Sequence, residues 1–267
     1  MRDPFRLEVV GGSVGRPRDL VQVRCPTVAS TAYRSLSLAA GATYGGGMLV
    51  AEQLFLLLRR DDGKAESAFA QNDYGLSGAV LTDLLLGEHI ALNDDKDPRV
   101  TVTTAESVGD PVLDAALERV RAKEGTKLSG LVTDGRLNPR DRIADSLAAD
   151  GVIAIEPKKA FGLIGARYPV RDPRPEQGLR ERLRAVLSGA SATPGEAALL
   201  ALLKGLGVSG KVLDEEKGLL SKHDLNRRID EVASGDVIGQ AVAKAIEAMT
   251  AAIVVITAGA AAASSSS

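Results

Sequence analysis

The sequence predicts a mainly α-helical single domain, with a hydrophobic helical core, surrounding amphipathic helices and two small β-hairpins. Three observations carry that expectation. Apolar residues recur at helical spacing in most segments after residue 47, proline and glycine divide those segments into helix-length pieces, and short apolar/polar alternation is confined to two stretches. At 267 residues, 45% hydrophobic and 25% charged, the chain has enough apolar side chains for one core of this kind, and disorder throughout is excluded.

Residues 1–47 stand apart, with six arginines, no lysine, three acids and no sustained apolar repeat. They read as a disordered leader, either upstream of a true start at Met48 or acting as a basic flexible arm. From Met48 the segment MLVAEQLFLLLRRDDGK reads as an apolar helix ending in Arg59 and Arg60, cations suited to a helix C-terminus. YGLSGAVLTDLLLGEHI follows as a buried helix, with Leu76, Val80, Leu81, Leu84 and Leu85 at helical spacing and Gly87 closing it. HIALN and RVTVTTA, joined by NDDKDP, form the first hairpin. Asp110 then caps a helix with Pro111 at its first position and Gly125 beyond its end.

Asn138, Pro139 and Gly151 repeat that arrangement around a short helix with Ile143 and Leu147 facing inward. VIAIEP and AFGLIGARYPV make the second hairpin, turning at Pro157, Lys158 and Lys159. DPRPEQGLRERLRAVLSG is amphipathic, with Leu179, Leu183, Val186 and Leu187 on one face. Thr193 and Glu196 form a capping box before EAALLALLKGLG, and a helix spans about Lys222 to Ala233. The last helix, DVIGQAVAKAIEAMTAAIVVITAG, is apolar on most sides in its second half and is expected to run through the core; the length and flanks suit a membrane span poorly. The domain therefore covers 48–258, and residues 259–267 read as a low-complexity tail.

Composition and motifs exclude several function classes. One cysteine, Cys25, and two histidines, His89 and His223, cannot assemble a cysteine/histidine metal cluster. No phosphate loop, nucleophile elbow, zinc-protease helix or dinucleotide fingerprint is present, so no enzyme, cofactor or metal is expected. A net charge of −2 lacks the basicity of a general nucleic-acid binder. The leader's scattered arginines and prolines do not resemble a secretory signal, which points to the cytoplasm. Arginine outnumbers lysine 22 to 11 and tryptophan is absent, a composition that suggests a GC-rich bacterial source.

Charge is the one regional signal. Arg136 to Arg184 holds eleven basic and seven acidic residues, a net of +4. Arg140 and Arg142 lie in the first turn of their helix, where cations oppose the macrodipole unless an anion or carboxylate offsets them. Helix N-terminal amides with an arginine fork suit a phosphate monoester. The competing reading pairs these arginines with Asp141, Asp145 and Glu181 as a solvated surface.

The stretches MLVAEQLFLLLRRDDGK, LSGAVLTDLLLGEHI, VGDPVLDAALERV, NPRDRIADSLAADGVIAIE, RYPVRDPRPEQGLRERLRAVL and DVIGQAVAKAIEAMTAAI, in this order, resemble the Golgi phosphoprotein 3-like family, including its shorter bacterial members. The resemblance implies a helical domain that is non-catalytic, binds phosphatidylinositol 4-phosphate and, in eukaryotes, retains glycosyltransferases at the Golgi. It implies a headgroup site at Arg140 and Arg142, with Arg136 beside the other family arginine position, Leu137. The second-helix arginine falls on Ser77 and the family tryptophan near Ala68 or Phe69, and Arg167, Arg171 and Arg174 are candidate compensating cations. The hairpin at about 152–168, with Lys158, Lys159, Phe161 and Leu163, would contact the membrane and oligomer partners.

The expected function is a peripheral membrane adaptor for anionic, phosphoinositide-type phospholipid, with a client protein and homo-oligomerisation adding to weak monovalent binding. The alternatives are a protein-binding scaffold whose lipid site has decayed, and a winged-helix-like nucleic-acid binder using the Arg140 helix and the Pro157-Lys158-Lys159 turn.

Overall fold

Helix α1 (Val50–Leu57) organises the fold, because every one of its eight residues is buried. In this computed structural model the described residues are 47–59, 69–104, 106–157, 166–234 and 240–264, within one compact unit, Gly41–Ser267. The expectations for 1–46, for Lys158, Lys159, Phe161 and Leu163, and for the Phe69 side chain lie outside them. Among the described residues ten helices and one two-stranded sheet confirm the mainly helical class.

A buried helix start leaves backbone N–H groups that need acceptors. Here Asp83, on the neighbouring helix α2 (Phe69–Leu86), accepts from the Val50 and Ala51 amides at 2.9 and 3.0 Å. Glu52 accepts from the Leu49 amide at 3.1 Å and from the Ser146 hydroxyl at 2.7 Å, tying α1 to helix α5 (Arg140–Ala149). Thus α1 is anchored to two other elements through its own polar end.

Helix α2 leads to strands β1 (Ile90–Leu92) and β2 (Val100–Val102), antiparallel with Ile90 opposite Val102. It ends in a Schellman arrangement, the His89 amide donating to the Leu84 carbonyl and the Glu88 amide to the Leu85 carbonyl. The left-handed residue is Glu88, at φ 57°, and not the expected Gly87. A side chain at this backbone conformation is strained, so Glu88→Gly is expected to raise stability by about 0.5–1 kcal/mol, read as a higher urea midpoint with an unchanged slope.

Helix α3 (Pro111–Arg121) starts as anticipated, whereas α5 starts one residue later than expected, with Pro139 and not Asn138 as its cap residue. The Asp110 carboxylate accepts from the Val112 and Leu113 amides at 2.8 and 2.9 Å, and the Asn138 side chain accepts from the Arg140 amide at 3.0 Å. Between them lies a short helix, α4 (Leu128–Val132), that the sequence pattern did not disclose. The second hairpin is less regular than expected: among the described residues its arms meet only at two isolated antiparallel bridges, Ile153 with Val170 and Glu156 with Arg167. Pro169 lies in the return arm and has no N–H to extend the ladder.

Helix α6 (Arg174–Leu187) buries Leu179, Leu183, Val186 and Leu187, as its amphipathic pattern requires. Helix α7 (Pro194–Gly205) starts with the Thr193–Glu196 capping box and is buried along nearly its whole length. After a four-residue turn, α8 (Ser209–Val212), helix α9 (Lys222–Ala233) begins at a Ser221 cap. The final helix, α10 (Gln240–Ser264), packs on α2 and α7 through Ile246, Met249 and Ile253, and leaves Val254 and Val255 45% and 70% exposed. It does not run through the core as expected, because α1, α2 and α7 already fill the centre. It also continues through the stretch set apart as a tail, consistent with alanine being the best helix former.

Close approach of α10 depends on missing side chains. A Cβ on Gly78 of α2 would lie 2.7 Å from the Ile253 Cδ1, and one on Gly205 would lie 3.1 Å from the Thr250 Cγ2. Small residues at these crossings let the last helix seat against the core.

Candidate anion-binding site

Four pieces of chain converge at one end of α1. They are its C-terminal end with Phe55 and Arg59, the start of α2 with Asp73, the start of α5 with Arg140, and the hairpin return arm with Tyr168. Phe55 is buried and meets Tyr168 edge to face, the ring centroids 5.4 Å apart. The Arg59 guanidinium carbon lies 4.1 Å from the Phe55 centroid and 4.4 Å from the Tyr168 centroid. A cation over two ring faces is attracted by both quadrupoles and loses much of its freedom to move.

The expectation of Arg59 as a helix-end cation is therefore corrected. Helix α1 stops at Leu57, Leu58 caps it, and Arg59 turns back over the rings. Burial pushes the Arg59 pKa down to about 10, the nearby Tyr168 and Asp73 oppose that change, and the Arg140 charge adds to it. Its Nε is buried without a hydrogen-bond acceptor among the described residues. Arg140, with its side chain 21% exposed, is ion-paired with Asp73. Burial raises the Tyr168 phenol, Asp141 reinforces this, and Arg59 and Arg140 counter it, which places the Arg140 end of α5 beside the ring.

The other anticipated residues are distributed unevenly. Arg142 lies about 200° around α5 from Arg140 and is exposed, as are Arg136, Arg167 and Arg171. None of these four has a carboxylate partner among the described residues. Ser77 is 2% exposed inside the helix packing, and Leu137 is 3% exposed. Three other arginines of the basic region, Arg174, Arg180 and Arg182, are neutralised. Arg174 donates to both Asp172 oxygens, from Nε at 2.9 Å and Nη2 at 2.7 Å, and these bonds hold the Asp172 carboxyl down to about 2. Arg180 bonds Glu176 and Glu216, and Arg182 bonds Glu196. Helix α5 itself is neutral, its two arginines matched by Asp141 and Asp145, so the surplus charge falls on the flanking segments, at Arg136, Arg167, Arg171 and Arg184.

A family model, Golgi phosphoprotein 3, matches residues 50–249. The chain belongs to the Golgi phosphoprotein 3 family. Its match starts with α1 and ends within α10, so the elements that build the cluster at Arg59, Asp73, Arg140 and Tyr168 all belong to the Golgi phosphoprotein 3 domain. No curated protein matches the chain. Among the described residues no helix of this Golgi phosphoprotein 3 domain is long and apolar enough to cross a membrane.

Sequence reasoning missed Arg59 and Asp73 as members of the cluster. For Arg59 a signal was present: Phe55 precedes it by four residues, a spacing that stacks side chains on one helix face. For Asp73 no local signal existed, because its partner Arg140 lies far along the chain.

Proposed function

We propose that the chain is a non-catalytic peripheral membrane adaptor that binds anionic phospholipid headgroups, of the phosphatidylinositol 4-phosphate type by family resemblance. The observation that supports this best is the junction holding two guanidinium groups, Arg59 fixed over Phe55 and Tyr168 and Arg140 at the start of α5. Guanidinium groups bind phosphate through charge-assisted, geometrically matched hydrogen bonds. The exposed Arg136, Arg142, Arg167 and Arg171 then act as surface charge toward an anionic leaflet, each contributing about 1 kcal/mol. Such contacts are individually weak, so the reading includes a homo-oligomer or client protein to add avidity, with the 152–168 hairpin as a contact, in a cytoplasmic setting. The Golgi phosphoprotein 3 family is not a known enzyme family and is consistent with a lipid- or protein-binding adaptor.

Co-sedimentation of the full chain tests this reading on vesicles of phosphatidylcholine alone, with phosphatidylserine, and with phosphatidylinositol 4-phosphate. Arg140→Ala is expected to abolish pelleting on the phosphoinositide vesicles. Arg142→Ala should weaken binding to both anionic vesicles by about fivefold, the effect of one lost surface cation. Absence of pelleting on every vesicle would overturn the lipid reading. A second reading has its own support: the family's other arginine positions, Leu137 and Ser77, hold buried residues here, as in a scaffold whose lipid site has decayed.

A further inference from the structure

The ion pair between Arg140 and Asp73 joins two elements, α5 and α2, at the mouth of the same cluster. Both side chains are partly exposed, Arg140 by 21% and Asp73 by 30%, and pairs in such positions contribute little to stability. Its chemical consequence is larger, because a carboxylate on a guanidinium occupies the position that a phosphate oxygen would take. Arg59 cannot follow Asp73 outward, since its guanidinium is held over two rings and its Nε is buried.

We propose that Asp73 is a built-in competitor at the anion site, engaging Arg140 until a phosphate-bearing ligand displaces it, with Arg59 as the second, fixed cation that the ligand meets. This rests on the reading of Arg140 as an anion ligand. The charges decide which ligands succeed. A monoanion, such as a phosphodiester, exchanges one negative charge for another and gains little. A phosphomonoester carrying close to two charges replaces one charge by more, beside two arginines, and is favoured. Asp73, released into water from a partly exposed position, is readily rehydrated. The same chemistry describes a lipid headgroup and free phosphate, so the test must separate them.

The full chain and its variants would be titrated with inorganic phosphate and with the three vesicle types, and each variant's thermal melt recorded to show that it folds. Asp73→Asn keeps the shape and removes the charge. It is expected to bind the monoester ligands about tenfold more tightly, the factor removed when a competitor engaged nine-tenths of the time is lost. Asp73→Glu restores the charge and should bind close to the parent. Adding Arg140→Ala to Asp73→Asn should cancel the gain, and Arg59→Gln should weaken phosphate binding in the Asp73→Asn background. If Asp73→Asn binds no better while Arg140→Ala still loses binding, the competitor is overturned and the anion reading stands. A gain that survives Arg140→Ala also overturns it, since the effect would then be general charge. Tighter binding of inorganic phosphate without any vesicle binding supports the competitor and rejects the membrane source. No binding by any variant, Asp73→Asn included, overturns both.

Discussion

Replacing Phe55 by alanine is expected to destabilise the chain by about 3–5 kcal/mol, the range for deleting a fully enclosed aromatic ring. Phe55 is 1% exposed on a helix with no solvent-facing residue, so the cavity left behind cannot be filled by water or by an outward shift of α1. The loss has a second component. Phe55 is the edge partner of Tyr168 and half of the surface on which Arg59 rests, so the variant should lose anion binding even at temperatures where it remains folded. Phe55→Leu separates the effects: it fills most of the volume, should cost less than about 2 kcal/mol, and still removes the ring from beneath Arg59. Urea unfolding together with phosphate titration checks both. Unaltered binding in folded Phe55→Leu would show that Tyr168 alone holds the guanidinium.

Stability should fall as pH rises across the neutral range, and Asp83 is the group responsible. It is fully enclosed, and burial pushes its pKa up to about 8 against the two amide hydrogen bonds from Ala51 and Val50, with the Glu52 and Asp110 charges reinforcing burial. In the unfolded chain an aspartate titrates near 3.9. Between those values the folded state holds a proton that the unfolded state has released, so unfolding becomes easier with rising pH by up to about 1.4 kcal/mol per unit. The stabilisation is complete below the lower value and is lost as pH climbs through the upper one. Glu52, raised mainly by burial, contributes with the same sign, and His89, lowered mainly by burial, opposes it below about pH 6.5. Urea midpoints at pH 5.5 and 7.5 measure the slope, and Asp83→Asn, which binds no proton, assigns it. The variant is expected to flatten the profile while losing about 1–3 kcal/mol, because an amide replaces one of two acceptor oxygens with a donor. An equal slope in both proteins would exclude Asp83.

Local signals made most helices legible. Asp110 with Pro111 and Thr193 with Glu196 determine helix starts through bonds made within a few residues, and the structure keeps both, while Asn138 still accepts from the Arg140 amide although Pro139 takes the cap position. Apolar spacing located α2 and α6 for the same reason. Where the reading failed, the deciding contact was distant. Helix α10 looked central because its own composition is apolar, yet α7 occupies the centre. Glu88 took the left-handed position that Gly87 was expected to fill, with the following His89 amide completing the turn. In the site, Arg140 was legible from the cation at a helix start, whereas Arg59 was assigned to a helix end because the Tyr168 ring that captures it comes from the far side of the sequence. Asp83, an isolated acid in a leucine-rich run, carried a legible clue of a different kind: a polar side chain in an apolar helix needs hydrogen-bond partners, and the α1 amides supply them.

The stacking of Arg59 on Tyr168 also gives the molecule an optical property. The chain has no tryptophan and four tyrosines, so tyrosine emission is not drained by energy transfer to an indole. One of those four emitters lies beneath the guanidinium at the junction of α1, α2 and α5. The intrinsic ultraviolet fluorescence of the unlabelled protein therefore carries a component that originates at the arginine cluster itself, and any change in the packing of that guanidinium is written into the spectrum without a dye or a tag.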